Sequence, residues 1–174
     1  MLKELAFTYN YEVEEIEKHE VDDIAVSSTK IRAAILEGNV GIARKYLNHP
    51  FSMAGKVVHG KQIGRQIGYP TANLEVERHN KIIPKAGIYA VHIHHNHQRY
   101  DGMLYIGHRP TLNGQSQSIE VNLFDFDGDL YGQTLYVEFI EKVREDAKFD
   151  SLDALKRQIT IDKENTVKVL GSSH

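Results

Sequence analysis

The residues best suited to chemistry lie between positions 55 and 73, where glycines alternate with cations. Glycine allows positive φ angles and a close approach of backbone N–H groups to a ligand. Successive N–H groups in such turns form concave anion sites, and lysine or arginine adds full positive charge. The stretch therefore suits a phosphate. The glycines and cations concerned are Gly55, Lys56, Gly60, Lys61, Gly64, Arg65 and Gly68.

This stretch ends in Pro70-Thr71-Ala72-Asn73, where Thr71 and Asn73 offer hard oxygen ligands. Mg²⁺ takes few protein oxygens and keeps several waters, so such a pair suits a magnesium–polyphosphate complex. The spacing is not the Walker pattern, which needs Gly-Lys-Ser/Thr at the start of a helix. The residue types alone leave two interpretations open: a phosphate-binding loop, or a glycine-rich hairpin with solvated lysines.

Glu120 is a candidate general base. The run 118–126 predicts a strand with Ile119, Val121 and Leu123 on one face. The opposite face would carry Glu120, Asn122, Phe124 and Phe126. A carboxylate among aromatic residues either lines a pocket, where it can accept a proton, or is simply exposed.

Arg144 lies in a charged segment between the last predicted strand and the last predicted helix. Such a segment is usually solvated, but an arginine there could also stack on a planar ligand.

Residues 92–97 hold four of the ten histidines. One interpretation is a zinc site, with His92 and His94 on one strand face and His95 and His97 at a hairpin tip. The other is a polar strand that leads into a solvated turn. No acidic residue nearby in sequence completes a ligand set, which favours the second interpretation.

The composition describes an ordinary soluble globular protein of 174 residues with 41% hydrophobic and 26% charged residues. A net charge of −3 argues against nucleic-acid binding, including an OB-fold that holds single strands. The chain has no cysteine, which excludes disulfides and fits a cytoplasmic location. No apolar run is long enough to cross a membrane, and the first residues do not resemble a signal peptide.

From Phe51 onward the hydrophobic pattern has the period of two that is typical of strands. Five short strands with no helix between them indicate an antiparallel sheet, closed as a small barrel of five or six strands. The predicted strands are 51–58, 87–94, 99–106, 118–126 and 134–141.

Helices are predicted on both sides of the barrel. Ser27-Ser28-Thr29 would cap one helix that ends at Gly38-Asn39, and a second would follow from Val40. Two short helices joined at a glycine could form a helix-turn-helix, but the pair carries few basic residues, which favours a structural helical hairpin or a linker between domains. After the barrel, Asp150 would cap a helix, and a further helical segment would run from Asp162 to Leu170.

Four motifs in order across residues 51–170 resemble the riboflavin kinase family. They are the glycine-rich run from Gly55 to Leu74, Ile106-Gly107-His108-Arg109-Pro110-Thr111, Glu120 followed by Leu130-Tyr131-Gly132, and Arg144 followed by Lys148-Phe149-Asp150-Ser151. The resemblance implies a mainly β fold: a six-stranded antiparallel Greek-key barrel with a C-terminal helix.

The same resemblance implies transfer of the γ-phosphoryl group of ATP to the 5′-hydroxyl of riboflavin, which gives FMN and ADP. The glycine loop would hold the phosphates, and Thr71 and Asn73 would meet Mg²⁺. Glu120 would be the base and Arg144 would lie beside the flavin. Segments 59–69 and 142–150 would act as lids that exclude water. Two positions depart from the family pattern: Tyr105 replaces Asn before Ile-Gly, and Asn122 replaces a common His.

The N-terminal part resembles the end of the FMN adenylyltransferase domain of bacterial bifunctional FAD synthetases, through the segment from Val26 to Arg32 and the Leu36-x-Gly38-x-Val40 that follows. We therefore expect residues 1–48 to be the end of that domain with a linker, a short α/β and helical remnant, and residues 49–174 to be the kinase domain. The expected partner is the rest of the adenylyltransferase domain. We expect no FAD formation from this chain alone.

Overall fold

The computed structural model describes residues 20–21, 24–60, 64, 68–76, 82–111 and 114–171. The first 19 residues of the expected domain remnant lie outside these ranges. The strands are β1 (Glu20–Val21), β2 (Ile24–Ala25), β3 (Phe51–Val58), β4 (Ala72–Glu75), β5 (Gly87–His95), β6 (Gln98–Thr111), β7 (Gly114–Leu123) and β8 (Thr134–Glu145). The helices are α1 (Ser28–Leu36), α2 (Val40–Leu47) and α3 (Leu152–Gly171).

Six of the strands close into an antiparallel barrel in the order β3-β4-β7-β6-β5-β8. Strands β5, β6 and β7 follow one another as neighbours, and β8 returns to pair with β5. Three consecutive strands with a fourth beside the first form a Greek key. The predicted Greek-key barrel with a C-terminal helix is therefore confirmed.

Alternate residues of each strand fill the barrel interior, as the period of two predicts. Leu104, Ile106 and Val121 have no exposed surface, and Tyr89 meets Phe139 edge to face with ring centroids 5.3 Å apart. Since successive side chains point to opposite faces, the residues between these buried ones lie on the outer face of the barrel.

The helical hairpin before the barrel forms as expected. The Ser27 hydroxyl accepts a hydrogen bond from the backbone N–H of Lys30, and Gly38 ends α1 with a φ of 84°. Val40 of α2 is fully buried in the same cluster that fills the barrel. Helix α2 therefore packs on the barrel instead of standing apart as a DNA-reading element.

Helix α3 differs from its prediction in two ways. It is one continuous helix of 20 residues, so there is no break before Asp162. Its first turn is capped by Ser151, whose hydroxyl accepts a hydrogen bond from the backbone N–H of Ala154 at 3.1 Å. The proposed cap at Asp150 was wrong by one residue, because the helix begins at Leu152.

Strand β4 was missed because its sequence, Ala-Asn-Leu-Glu, lacks the β-branched and aromatic residues that are typical of strands. Strand β8 is longer than predicted and reaches Glu145. The outer-face prediction for Phe126 was also wrong: β7 ends at Leu123, Asp125 has a φ of 54°, and Phe126 packs against Tyr100 and the barrel core.

Two histidines of the histidine-rich strand lie beside carboxylates. His92 Nδ1 lies 2.8 Å from Asp101 Oδ1, and His94 Nε2 lies 3.1 Å from Glu138 Oε2. The two carboxylates come from neighbouring strands, and each lies beside a different histidine. Asn96 and His97, both with positive φ, form the two-residue hairpin turn. No group of three potential metal ligands occurs among the described histidines, aspartates and glutamates.

In the part of the chain that the structure describes, no helix combines the length and the hydropathy needed to cross a membrane.

Candidate active site

The site is built on a row of residues that lie side by side on the outer face of the barrel. The pairing registers place Asn73 beside Glu120, Glu120 beside Tyr105, Tyr105 beside Ile88, and Ile88 beside Arg144. Neighbouring strands lie about 4.8 Å apart. Asn73, Glu120 and Arg144, which the sequence analysis singled out separately, therefore share one row.

The carboxylate of Glu120 is held by two hydroxyl groups. Thr71 Oγ1 donates to Glu120 Oε2 and Ser118 Oγ donates to Glu120 Oε1, each at 3.1 Å. One donor comes from the segment before β4 and the other from the same face of β7. The carboxylate thus has a fixed direction, and a substrate hydroxyl within hydrogen-bond reach could give it a proton.

The Pro70–Thr71 corner is fixed to β7 by Asn122. The Asn122 side chain is buried, and its Nδ2 donates to the carbonyl oxygen of Pro70 at 2.6 Å. The sequence predicted that Asn122 shares the face of Glu120, but it predicted neither this contact of Asn122 nor the contact of Ser118 with Glu120. The alternation of side chains along β7 could have identified both residues, since positions 118, 120 and 122 share one face of the strand.

Two of the predicted phosphate-loop glycines lie directly against the proposed magnesium ligands. A side chain at Gly60 would overlap the amide group of Asn73. A Cβ at Gly64 would overlap the carbonyl oxygen of Tyr69 and lie 3.1 Å from Thr71 Oγ1. The backbone at Gly60 and Gly64 therefore packs directly against Asn73 and Thr71, and a side chain at either glycine would not fit.

The other described residues that were predicted to bind phosphate have different surroundings. Gly68 has a φ of 84°, and a Cβ added there would have no other atom within 4 Å. Gly55 lies in the barrel wall, where a side chain would crowd Leu74 and Val76, so packing explains this glycine. Lys56 is exposed on the outer face in register with Glu75. Lys61 and Arg65 lie outside the described residues.

A cavity of about 520 Å³ adjoins the Thr71 corner. Its lining includes Pro70, Thr71 and Leu130, and the ring of Tyr131 stands at its border. Tyr131 stacks on His59 with ring centroids 3.9 Å apart. Polar and apolar lining side by side suits a nucleotide base next to its phosphates.

Arg144 lies in strand β8, not in the predicted linker. Its Nε and one terminal nitrogen donate to the two carboxylate oxygens of Asp162 in α3, at 2.8 and 2.7 Å. Asp162 is 1% exposed, and the guanidinium also lies 5.6 Å from the Phe149 ring centre. Arg144 thus joins α3 to the barrel through a bidentate salt bridge with Asp162.

A second polar contact joins α3 to the segment before Thr71, because the hydroxyls of Tyr69 and Thr160 lie 2.8 Å apart. Helix α3 therefore contacts the segment that leads into Thr71 and, through Arg144, the other end of the row.

Next to the Arg144 end of the row lies a small charge cluster. The hydrogen bond from Lys142, reinforced by Lys85, holds the pKa of the Glu145 carboxyl below its usual range. Burial, followed by the charge of Glu145, raises the pKa of Tyr89, whose hydroxyl donates to the carbonyl oxygen of Lys85. Tyr89 therefore stays neutral and acts as a hydrogen-bond donor.

Known proteins resemble this chain along most of its length. The family model described as "Flavokinase: Riboflavin kinase" matches residues 47–170. A curated protein of Haemophilus influenzae, named bifunctional riboflavin kinase/FMN adenylyltransferase, is 39% identical over 94% of this chain and 53% of its own length. The chain spans about half the length of the curated relatives it matches.

Two solved structures share the fold. A Streptococcus pneumoniae protein titled macrolide-efflux protein is 40% identical, with a TM-score of 0.86 over 94% of this chain and 54% of its own. A riboflavin kinase from Trypanosoma brucei is 24% identical, with a TM-score of 0.51 over 71% of this chain and 82% of its own, and supports the fold alone. The name of the Streptococcus pneumoniae protein refers to efflux, whereas the curated relatives are named as enzymes.

Proposed function

Since the chain belongs to the riboflavin kinase family, we propose that it transfers the γ-phosphoryl group of ATP to the 5′-hydroxyl of riboflavin, giving FMN and ADP. The observation that carries this proposal is the position of Glu120. Its carboxylate accepts hydrogen bonds from Thr71 and Ser118 and lies one strand away from Asn73. A proton acceptor thus adjoins the corner suited to phosphate.

On the donor side, the base of ATP would occupy the cavity beside Thr71, and its phosphates would extend toward Gly60 and Gly64. The oxygens of Thr71 and Asn73, next to the Glu120 carboxylate, are the hard donors that suit Mg²⁺. When bound, Mg²⁺ would neutralise charge on the transferring phosphoryl oxygens. Lys61 and Arg65 remain part of the proposal as further phosphate ligands.

On the acceptor side, Glu120 would take the proton from the 5′-hydroxyl of riboflavin as the phosphoryl group arrives. Phosphoryl transfer depends mostly on positioning and charge stabilisation, so the fixed direction of this carboxylate is what the reaction needs. Arg144 would lie beside the flavin ring. The guanidinium edge is used by Asp162 and the Glu145 carbonyl, so contact with a flavin would involve its face.

Water must be kept from acting as the acceptor, and two segments are proposed to close over the site. One is residues 59–69. The other is shorter than the sequence predicted, residues 146–150 instead of 142–150, because positions 142–145 belong to β8, which pairs with β5 there.

One assay tests the function directly. The chain is incubated with riboflavin, ATP and Mg²⁺, and FMN is separated by chromatography. We expect FMN to form in proportion to enzyme. Binding of ADP or riboflavin without FMN would instead favour the alternative, a non-catalytic nucleotide- or flavin-binding barrel.

We assign the kinase to residues 49–174 and the adenylyl transfer named for the curated relatives to residues outside that range, with residues 1–48 as the end of that other domain. The reaction is proposed to be cytoplasmic, with the rest of an adenylyltransferase domain as partner. Formation of FAD from FMN and ATP by this chain would contradict the assignment.

Asn73→Ala should weaken Mg·ATP use selectively. Loss of one charge-assisted contact costs about 1.5–3 kcal/mol, so the KM for Mg·ATP should rise at least about tenfold, with little change in riboflavin affinity. Thr71→Val should do the same and also slow turnover, because Thr71 orients Glu120. Steady-state kinetics with each substrate varied measures both effects.

Ser52→Ala, which removes an exposed residue's hydroxyl at the far end of β3, is the matched control and should leave both KM values unchanged. An equal loss of affinity for both substrates in Asn73→Ala would mean that Asn73 supports the fold and does not bind the nucleotide.

A further inference from the structure

Tyr105 lies on the outer face of β6, directly across from Glu120 on β7. Because β7 lies between β4 and β6, Asn73 and Tyr105 flank Glu120 on opposite sides. The phosphate corner occupies the Asn73 side. In phosphoryl transfer the acceptor approaches roughly in line, opposite the leaving group. Tyr105 is therefore on the side from which an acceptor would reach the base.

The Tyr105 ring lies along its own strand over Gly107. A side chain at Gly107 would overlap the phenol oxygen and the ring carbon that bears it. Gly107 is in register with Ser118, and Ser118 donates the hydrogen bond that orients Glu120. The missing side chain at position 107 therefore makes the space in which the phenol reaches the neighbourhood of the base.

The other side of Tyr105 is apolar. Tyr105 packs against the buried cluster of Ile88, Met103 and Phe124. Ile159 of α3 packs against the same cluster. Its ring is half-buried and stands where the polar Glu120 site meets this cluster. A side chain with a polar tip and an apolar body suits a boundary of this kind.

We propose that Tyr105 positions the acceptor, contacting the hydroxylated chain between the hydroxyl that reacts at Glu120 and the planar ring. The inference rests on the proposed function and deepens it. The acceptor class is a molecule with a polyol chain on an apolar planar ring. The Tyr105 ring packs on the chain and its hydroxyl bonds to a chain hydroxyl, so Tyr105 sets preference for the chain and takes no part in proton transfer.

Binding of riboflavin, followed through quenching of flavin fluorescence, tests the role without turnover. In Tyr105→Ala the riboflavin Kd and KM should rise about tenfold, the loss typical of a truncated aromatic anchor. The Kd for Mg·ADP should not change. Lumiflavin, which has the ring but no polyol chain, should bind the variant and the wild type equally. Tyr105→Phe, which keeps the packing, should lose about threefold, as expected for one neutral hydrogen bond.

Gly107→Ala should displace the Tyr105 ring without removing it, because the added methyl group would overlap the phenol. It should reproduce most of the loss in riboflavin affinity, and combining it with Tyr105→Ala should cause no further loss, because both changes act through the same ring. Tyr136→Ala is the matched control: Tyr136 is 60% exposed on the outer face of β8, and its loss should leave flavin affinity intact.

An unchanged riboflavin Kd in Tyr105→Ala, or equal losses of affinity for Mg·ADP and riboflavin, would overturn the role of Tyr105. The kinase proposal would still stand in either case, provided that the wild type forms FMN. Equal weakening of lumiflavin would overturn the contact with the chain. If the wild type binds riboflavin but forms no FMN, the proposed function fails and the binding series still decides the role of Tyr105. A wild type that binds no riboflavin would overturn both.

Discussion

Glu120→Gln should lower the rate of FMN formation by about 10²–10⁴-fold, the usual contribution of a positioned general base. Glutamine is close in shape to glutamate. Its amide oxygen can accept a hydrogen bond from one of the two hydroxyls of Thr71 and Ser118, and its amide nitrogen can donate to the other, but it cannot take up a proton. Mg·ADP and riboflavin should therefore bind with near-normal affinity. Single-turnover measurement of FMN, with both ligands saturating, isolates the chemical step.

Glu138→Gln is the matched control, because Glu138 is an outward-facing carboxylate on β8 whose described partner is His94 and not a residue of the site. Its rate should equal that of the wild type. A near-normal rate in Glu120→Gln would show that Glu120 is not the base. Its remaining role would be to hold Thr71 in place through their hydrogen bond.

The barrel could be predicted because alternation of apolar and polar residues is a local signal. Strands β3 and β5 were assigned within one residue of their observed bounds, whereas β6, β7 and β8 were found but each has at least one end three to five residues from its predicted position. The face of Glu120 followed from counting residues in β7. Strand β4 gave no such signal, since four residues with weak strand preference become a strand only through pairing with β3 and β7.

The row that joins Asn73, Glu120 and Arg144 could not be predicted from the sequence. It depends on which strands pair and in what register, and β4 pairs with β7, which is far away in the chain. The same limit applies to the hydrogen bond from Asn122 to Pro70, which spans 52 residues. Sequence patterns identified the chemical groups, whereas long-range pairing determines which of them meet.

Arg144 illustrates how a contact across the fold changes an interpretation. As a residue of a charged linker it appeared free to stack on a ligand, but in the structure its edge is occupied by Asp162, 18 residues further on. A role in docking α3 and a role in holding the flavin both predict that loss of Arg144 reduces activity. Separating them requires a variant that restores the fold without restoring the guanidinium.

Arg144→Leu should destabilise the protein by about 3 kcal/mol, because it leaves the buried Asp162 carboxylate without its cation. Replacing both partners, in Arg144→Leu with Asp162→Leu, should recover most of that stability, since a buried ion pair can often be exchanged for apolar packing. Urea unfolding measures both changes. We expect riboflavin affinity to stay about tenfold below that of the wild type in the double variant, because the flavin still lacks its stacking partner.

Arg157→Leu, an exposed arginine on the same helix, controls for the loss of one positive charge and should change neither stability nor affinity. If riboflavin affinity instead returned together with stability in the double variant, Arg144 would serve to dock α3 and the flavin would need another neighbour. The double variant is decisive because the buried carboxylate that makes the single variant unstable is gone, so a remaining loss of affinity reports on the guanidinium itself.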